Sequence, residues 1–405
     1  LSPSPSSEPS EHPFSPPPGF LWGASTAAHQ IEGQNTNSDW WHKEHAEGTH
    51  VQEPSADAAD SYHRWPEDMD LLAELGFTDY RFSIEWARIE PAQGEFSRAQ
   101  LAHYRRMVEG ALARGLRPMV TLHHFTVPQW FAERGGWTAH GAVDLFARYV
   151  EATAPVIAAD VAHVCTINEP NMVAVMGAVE QLGVDALGPA GLPLPDKDTS
   201  VALIEAHGLA REVIRSLSPA VKVGWSVANQ VYQALPGAER TTADYSWPRE
   251  DVFLEASRDD DWVGVQSYTR TQVGPDGPVP APDDAERTLS GWEYYPPALG
   301  EAVRHTARVA TGVPIIVTEN GISTADDSRR VDYTAGALTG LAEAMADGID
   351  VRGYFHWSAL DNYEWGSYRP TFGLIAVDPV TFARTPKESG RWLGAMGRRA
   401  RIGRT

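Results

Sequence analysis

The chain has 405 residues, 42% of them apolar, 21% charged and 10% aromatic, proportions that fill a large core and exclude a disordered chain, a collagen or a small disulfide-stapled scaffold. Its 54 acidic against 33 basic side chains leave a net charge of −21, a field that repels nucleic-acid phosphates and anionic lipid, so neither nucleic acid nor a membrane is an expected partner. The single cysteine, Cys165, has no internal disulfide partner; with no run of 18 apolar residues and no secretory-signal order near Leu1, a cytoplasmic location is expected.

Residues 1–18 are dominated by Pro and Ser and read as a disordered tail. From 19 to about 400 no low-complexity stretch is long enough for a linker, so one domain is expected. A first strand is expected at FLWGAST (20–26). Pro66 then opens a helix carrying Met69, Leu72 and Leu75, which Gly76 closes. A second strand lies in DYRFSIEW (79–86), followed by a helix with Leu101, Tyr104, Val108 and Leu112 on one face and Gly115 at its C-terminal cap. Further strands are expected at RPMVTLHHF (117–125), AHVCTINEP (162–170), VKVGWSVAN (221–229), DWVGVQSYT (261–269) and VPIIVTENG (313–321). A helix with Leu338, Leu341 and Met345 precedes Gly348, and the last strand is RGYFHWSAL (352–360). Eight apolar strands alternating with helices predict a single (β/α)8 TIM barrel in the α/β class, with an open doubly wound sheet as the alternative.

The polar residues favour the barrel, because nearly every strand ends in them. In order these are His29, Gln30 and Glu32; Arg81 and Glu85; His123 and His124; Asn168 and Glu169; Asn229; Gln266 and Tyr268; Glu319 and Asn320; and Asp361, Asn362, Glu364 and Trp365. A barrel builds its site from the C-terminal ends of many strands, whereas an open sheet concentrates it at one switch point. Glu169 and Glu319 end the fourth and seventh strands and so can face each other across the mouth. Two carboxylates flanking one bond suit glycosidic chemistry, one handling the proton while the other attacks the anomeric carbon or activates water. Arg81 could hold one of them ionised, or could simply pair with Glu85 or Glu90. Trp22, Trp130, Trp357 and Trp365 could offer flat faces to a sugar. Metal chemistry through His29, His123 and His124 is disfavoured, since adjacent strand residues point to opposite faces. No nucleotide-binding glycine loop is present.

FLWGASTAAHQIEG (20–33), RFSIEWARIEP (81–91), TINEP (166–170), VTENG (317–321) and WSALDNYEW (357–365), in this order, resemble the signatures of glycoside hydrolase family 1, the β-glucosidase-like enzymes. The resemblance implies a retaining exo-acting β-glycosidase with Glu169 as acid/base and Glu319 as nucleophile. It further implies that Asn168 holds the sugar 2-hydroxyl and that Arg81 and Tyr268 position and tune Glu319. Gln30, His124, Glu364 and Trp365 would bind the sugar over a floor formed by Trp357. No cofactor is implied, and the partner is a small glycoside without phosphate. Transglycosylation onto a secondary metabolite, or a catalytically silent sugar-binding barrel, are the alternatives. Departures fall at Phe125, Thr126 and Gln266 and in the loop over about 180–198.

Overall fold

In the computed structural model, residues 14–158, 160–182 and 191–402 are described. All eight expected strands form: β1 Leu21–Ser25, β2 Asp79–Ser83, β3 Arg117–His123, β4 His163–Asn168, β5 Lys222–Ala228, β6 Trp262–Gln266, β7 Ile315–Glu319 and β8 Val351–Trp357. Each pairs in parallel with the next, and β8 pairs with β1, so the sheet closes into a barrel and the open-sheet alternative falls.

Burial on both faces explains the near-continuous apolar strands. Leu21, Met119, Cys165, Trp262, Ile316 and Phe355 form one buried cluster drawn from six strands. The outward side chains, such as Val120, Val164, Val223 and Val317, join a larger core with helix residues such as Leu72, Val108, Phe146, Leu203 and Leu338. At about 1.5–3 kcal/mol for each fully buried large aliphatic side chain, this outer core carries most of the fold's driving force. Gly224 makes one contact possible, since a β-carbon there would lie 2.1 Å from the Trp262 carbonyl oxygen.

The surrounding helices include α1 Ser61–Leu75, α2 Arg98–Ala113, α3 Ala142–Ala152, α4 Lys197–Leu217, α5 Ala298–Val309, α6 Asp327–Ala346 and α7 Glu388–Ile402. Three expectations change. Pro66 does not open α1 but sits inside it. The helix is pinned on either side of it: Ser61 donates to Asp68 at 2.7 Å, and Arg384, from outside the helix, donates to Asp68 at 2.8 Å, which offsets the backbone donor that proline lacks. Leu112 is 38% exposed, because the stripe of α2 that meets the barrel is Tyr104, Met107, Val108 and Ala111. The end of the proposed disordered tail is packed, with Phe14 buried and its ring stacked 5.6 Å from Trp22. Residues 1–13 lie outside the described residues.

Candidate active site

The two carboxylates stand where strand pairing becomes irregular. The β4–β5 register shifts between Cys165 and Asn168, and the β6–β7 register between Val317 and Glu319; such shifts re-aim side chains at barrel rims. Glu169 follows β4 with φ of +46°, a left-handed backbone that costs a β-carbon-bearing residue about 1–2 kcal/mol. Neighbouring hydrogen bonds hold it there: its N–H donates to the Ser226 carbonyl at 2.8 Å, and its own carbonyl accepts from Met172 and Val173 at the start of helix Pro170–Leu182. Pro170 suits that first helical position because no N–H is needed there.

Arg81 is fully buried and joins the two strand ends. Its Nη1 donates to Glu319 Oε1 at 2.7 Å, its Nη2 to Asn168 Oδ1, and its Nε to Thr121 Oγ1 at 3.1 Å. The alternative pairing with Glu85 or Glu90 is not formed; Glu85 caps the helix Trp86–Ile89 and accepts from Thr126, while Glu90 takes Trp86 and Arg148. The second oxygen of Glu319 accepts from the Tyr268 hydroxyl at 2.6 Å. Burial raises the Glu319 carboxyl above its ordinary value, and Arg81, Tyr268 and Gln266 pull it back. Glu169 makes no side-chain hydrogen bond among the described residues. Burial pushes its carboxyl well up, and the Glu319 and Glu364 charges push it further against the pull of Arg81. The two carboxyls therefore differ in their surroundings: Arg81 and Tyr268 donate to Glu319 and oppose its rise, whereas Glu169 has no donor among the described residues and is pushed further up by its neighbours' charges.

A second group lines the mouth beside them. Gln30, on the turn after β1, donates to Asn362 Oδ1 at 3.0 Å and the Tyr363 carbonyl at 2.9 Å, with Glu364 Oε2 at 3.2 Å. The Trp357 indole donates to the other oxygen of Glu364 at 3.1 Å. Burial, with the Glu319 charge adding to it and the Trp357 bond opposing it, moves Glu364 up to about 8. His124 lies nearly parallel to Trp357 with centroids 5.9 Å apart. Burial, then Arg81, lowers the His124 imidazole far enough to keep it neutral. Above Glu364 and Trp365 opens a cleft of about 720 Å³ with Trp40, Val51, Met176, Val179 and Leu289 among its walls. The arrangement can hold a polyhydroxylated ring against indole faces, with two acids at one end and room beyond.

Several strand-end residues belong elsewhere. Trp22 is core, its indole bonded to the Leu393 carbonyl, and Trp130 packs edge-on to Trp86 and donates to Glu90. Glu32 serves Arg88 and Tyr104, Asn229 serves Glu250, Asn320 ties to Ser267 and Tyr354, and Asp361 pairs with Lys387. His123 turns away from His124 into an aromatic cluster with Trp137 and Phe146. Sequence reasoning named His29 and Phe125 without this placement and did not name Glu44. His29 stacks 5.7 Å under Trp365 with an interplanar angle of 7°, and buried Glu44 lies beside it at 3.7 Å and accepts from Tyr363. Phe125, with φ of +66°, sets its ring edge-on to Trp365 at 5.0 Å. Of the divergent loop over 180–198, residues 183–190 lie outside the described residues.

Known proteins resemble this chain over nearly its whole length. The sequence profile described as glycosyl hydrolase family 1 matches residues 12–254 and 257–401. A β-glucosidase of Agrobacterium sp. is 31% identical over 448 aligned positions, covering 94% of this chain and 95% of that protein. A 1,4-β-D-glucan glucohydrolase of Thermotoga neapolitana is 30% identical, with 93% and 96% covered. Among solved structures, a β-glycosidase designated BGL167 superposes with a TM-score of 0.88 at 45% identity, over 96% of this chain and 97% of that one. A β-glycosidase from Pyrococcus horikoshii gives 0.84 at 31% identity, with 95% of each chain covered.

Proposed function

The chain belongs to glycosyl hydrolase family 1, and from that premise we propose that it removes single β-linked sugars from the ends of small glycosides, with Glu319 as nucleophile and Glu169 as acid/base. It is a β-glucosidase-like glycosidase, and a two-step course with retention of configuration is general in the family. In the first step a Glu319 oxygen bonds to the anomeric carbon while Glu169 gives its proton to the departing glycosidic oxygen, so a covalent glycosyl-enzyme forms and the aglycone leaves as an alcohol. In the second, Glu169 takes a proton from water, whose oxygen bonds to the same carbon and releases Glu319. Arg81 and Tyr268 hold Glu319 aimed and ionised; Asn168 holds the hydroxyl next to the reacting carbon. Gln30, His124, Glu364 and Trp365 bind the rest of the ring over Trp357, and the cleft beyond Trp365 takes the aglycone.

The observation that carries the assignment is the asymmetry of the acids: Glu319 accepts from Arg81 and Tyr268, while Glu169 has burial and two like charges around it. Proton NMR of an aryl β-glucoside reaction tests it. The β-anomer of the free sugar is expected first, with the α-anomer growing only by mutarotation; α-anomer at the earliest times overturns the mechanism.

A further inference from the structure

The end of the barrel opposite the two acids carries a second cavity. Four consecutive strands begin there with a charged or titratable residue, Asp79 on β2, Arg117 on β3, His163 on β4 and Lys222 on β5. Asp79 is paired in register with Arg117, and His163 with Lys222. A cavity of about 210 Å³ opens among His163, Lys222, Asp261, Trp262, Ile316 and Arg352. Trp262 and Ile316 also belong to the buried cluster inside the strands, so an apolar ceiling lies between this cavity and the acids. Pockets for drug-sized ligands span about 300–1,000 Å³; this one suits a small ion.

Residues at this end of a barrel ordinarily serve stability, and ion pairing accounts for its acids. Asp79 accepts from Arg117 at 2.8 Å, from the Trp22 N–H at 2.9 Å and from Thr78. Asp350 accepts from Arg352 Nε at 3.1 Å and Nη2 at 2.8 Å. Asp261 accepts from the Val223 N–H at 2.9 Å, with Arg215 at 3.5 Å. The cations are not used up in the same way. Among the described residues Lys222 has no hydrogen-bond or ion-pair partner, and Arg352 keeps Nη1 unpaired. Neither ring nitrogen of His163 makes a hydrogen bond, and both keep open surface. Burial lowers the His163 imidazole to about 4, with Asp79 opposing this and Arg117, Lys222 and Arg352 adding to it. A neutral imidazole thus stands beside three cations and one already paired acid. The whole chain carries −21, but fields beyond about 8 Å are screened at physiological salt, so the local set decides.

We propose that this cavity binds a small tetrahedral oxyanion of the phosphate or sulfate kind, held by Lys222 and Arg352 Nη1, with a His163 ring nitrogen donating to it. The apolar ceiling strengthens such charge-assisted bonds by keeping water from one side. The site is independent of the glycosidase reading. Its occupation stabilises the folded barrel by mass action and takes no part in the reaction.

Histidine NMR of the full chain tests this. The His163 ring resonances are identified by their loss in His163→Gln, and the wild type is titrated near pH 6 with sodium sulfate and, at equal ionic strength, with sodium chloride. Sulfate is expected to move the His163 resonances saturably toward the protonated form, half-complete in the millimolar range, because a nearby anion favours the charged imidazole. Chloride is expected to leave them in place. Lys222→Gln removes the free cation and is expected to raise the sulfate half-point about tenfold. Should that variant melt early, Arg352→Gln repeats the test at a side chain that is 58% exposed. His163 resonances that stay put in sulfate, or move as far in chloride, would overturn the proposal. So would a half-point unchanged in both variants. Inorganic phosphate against glycerol 3-phosphate then separates a free ion from the headgroup of an ester, by which half-point is lower.

Discussion

Replacing Arg81 by Met keeps an unbranched apolar stem in place of the inner part of the side chain and removes its charge and all its donors. The wild-type guanidinium is fully buried and bonds Glu319 at 2.7 Å, Asn168, and Thr121 at 3.1 Å. Breaking a buried pair by removing one partner costs about 3–5 kcal/mol, because the other charge is stranded. Glu319 is 4% exposed, so the folded protein answers by protonating it. Taken as lost transition-state stabilisation, at about 1.36 kcal/mol per decade, the same energy is about two to four decades in rate. The sign on pH follows from the clamp. Burial raises the Glu319 carboxyl and Arg81 is the main pull downward, so its loss moves the acidic limb of kcat/KM to higher pH. Arg81→Lys restores charge but not the planar fork, and is expected to recover only part of the rate. Initial rates on an aryl β-glucoside from pH 4 to 9, with calorimetry to confirm folding, measure this. A Met variant within threefold of wild type, with an unmoved acidic limb, would refute the clamp.

Three other outcomes are expected. Glu169→Ala removes proton donation, worth about 10²–10⁴-fold, so kcat/KM should collapse for alkyl glycosides and hold far better for nitrophenyl ones; a loss independent of leaving-group acidity would argue against its role. Glu85, moved up to about 8 by burial and then by Glu32, is protonated when folded and ionised when unfolded across the interval from its ordinary value to about 8. Wild-type stability is therefore whole below that interval and is lost as pH rises through it. Glu85→Gln should leave the melting temperature unchanged near pH 4 and raise stability by about 2 kcal/mol or more at pH 8; a gain equal at both would contradict this. Gly321→Ala places a β-carbon 1.9 Å from the Trp357 carbonyl oxygen. It should cost about 1–3 kcal/mol and reduce turnover by parting Trp357 from Glu319, so an unaffected melt would be unexpected.

The barrel was legible because each parallel strand is buried on both faces and writes its apolar run into the sequence, from Leu21–Ser25 to Val351–Trp357. Helix boundaries were less so. Pro66 is a local signal that the long-range bonds of Ser61 and Arg384 to Asp68 override. The polar strand ends marked the correct end of the barrel but overstated the site, since Glu32, Asn229, Asn320 and Asp361 are bound up in structural contacts that no pattern reveals. Side-chain partners were hidden for a different reason: that Gln266 donates to Asn168, and that His29 underlies Trp365, follow only from the fold. Trp22 and Trp130 looked equivalent to Trp357 in sequence, yet lie in the core because strand position, not residue type, decides which indole reaches the mouth.

The central claim is that the Glu319 carboxylate bonds to the anomeric carbon. The direct measurement is mass spectrometry of the protein and its peptic fragments after incubation with an aryl 2-deoxy-2-fluoro-β-glucoside. The account predicts one added fluorosugar per chain, carried on the peptide containing Glu319, with activity lost in step. An adduct on any other residue would contradict it.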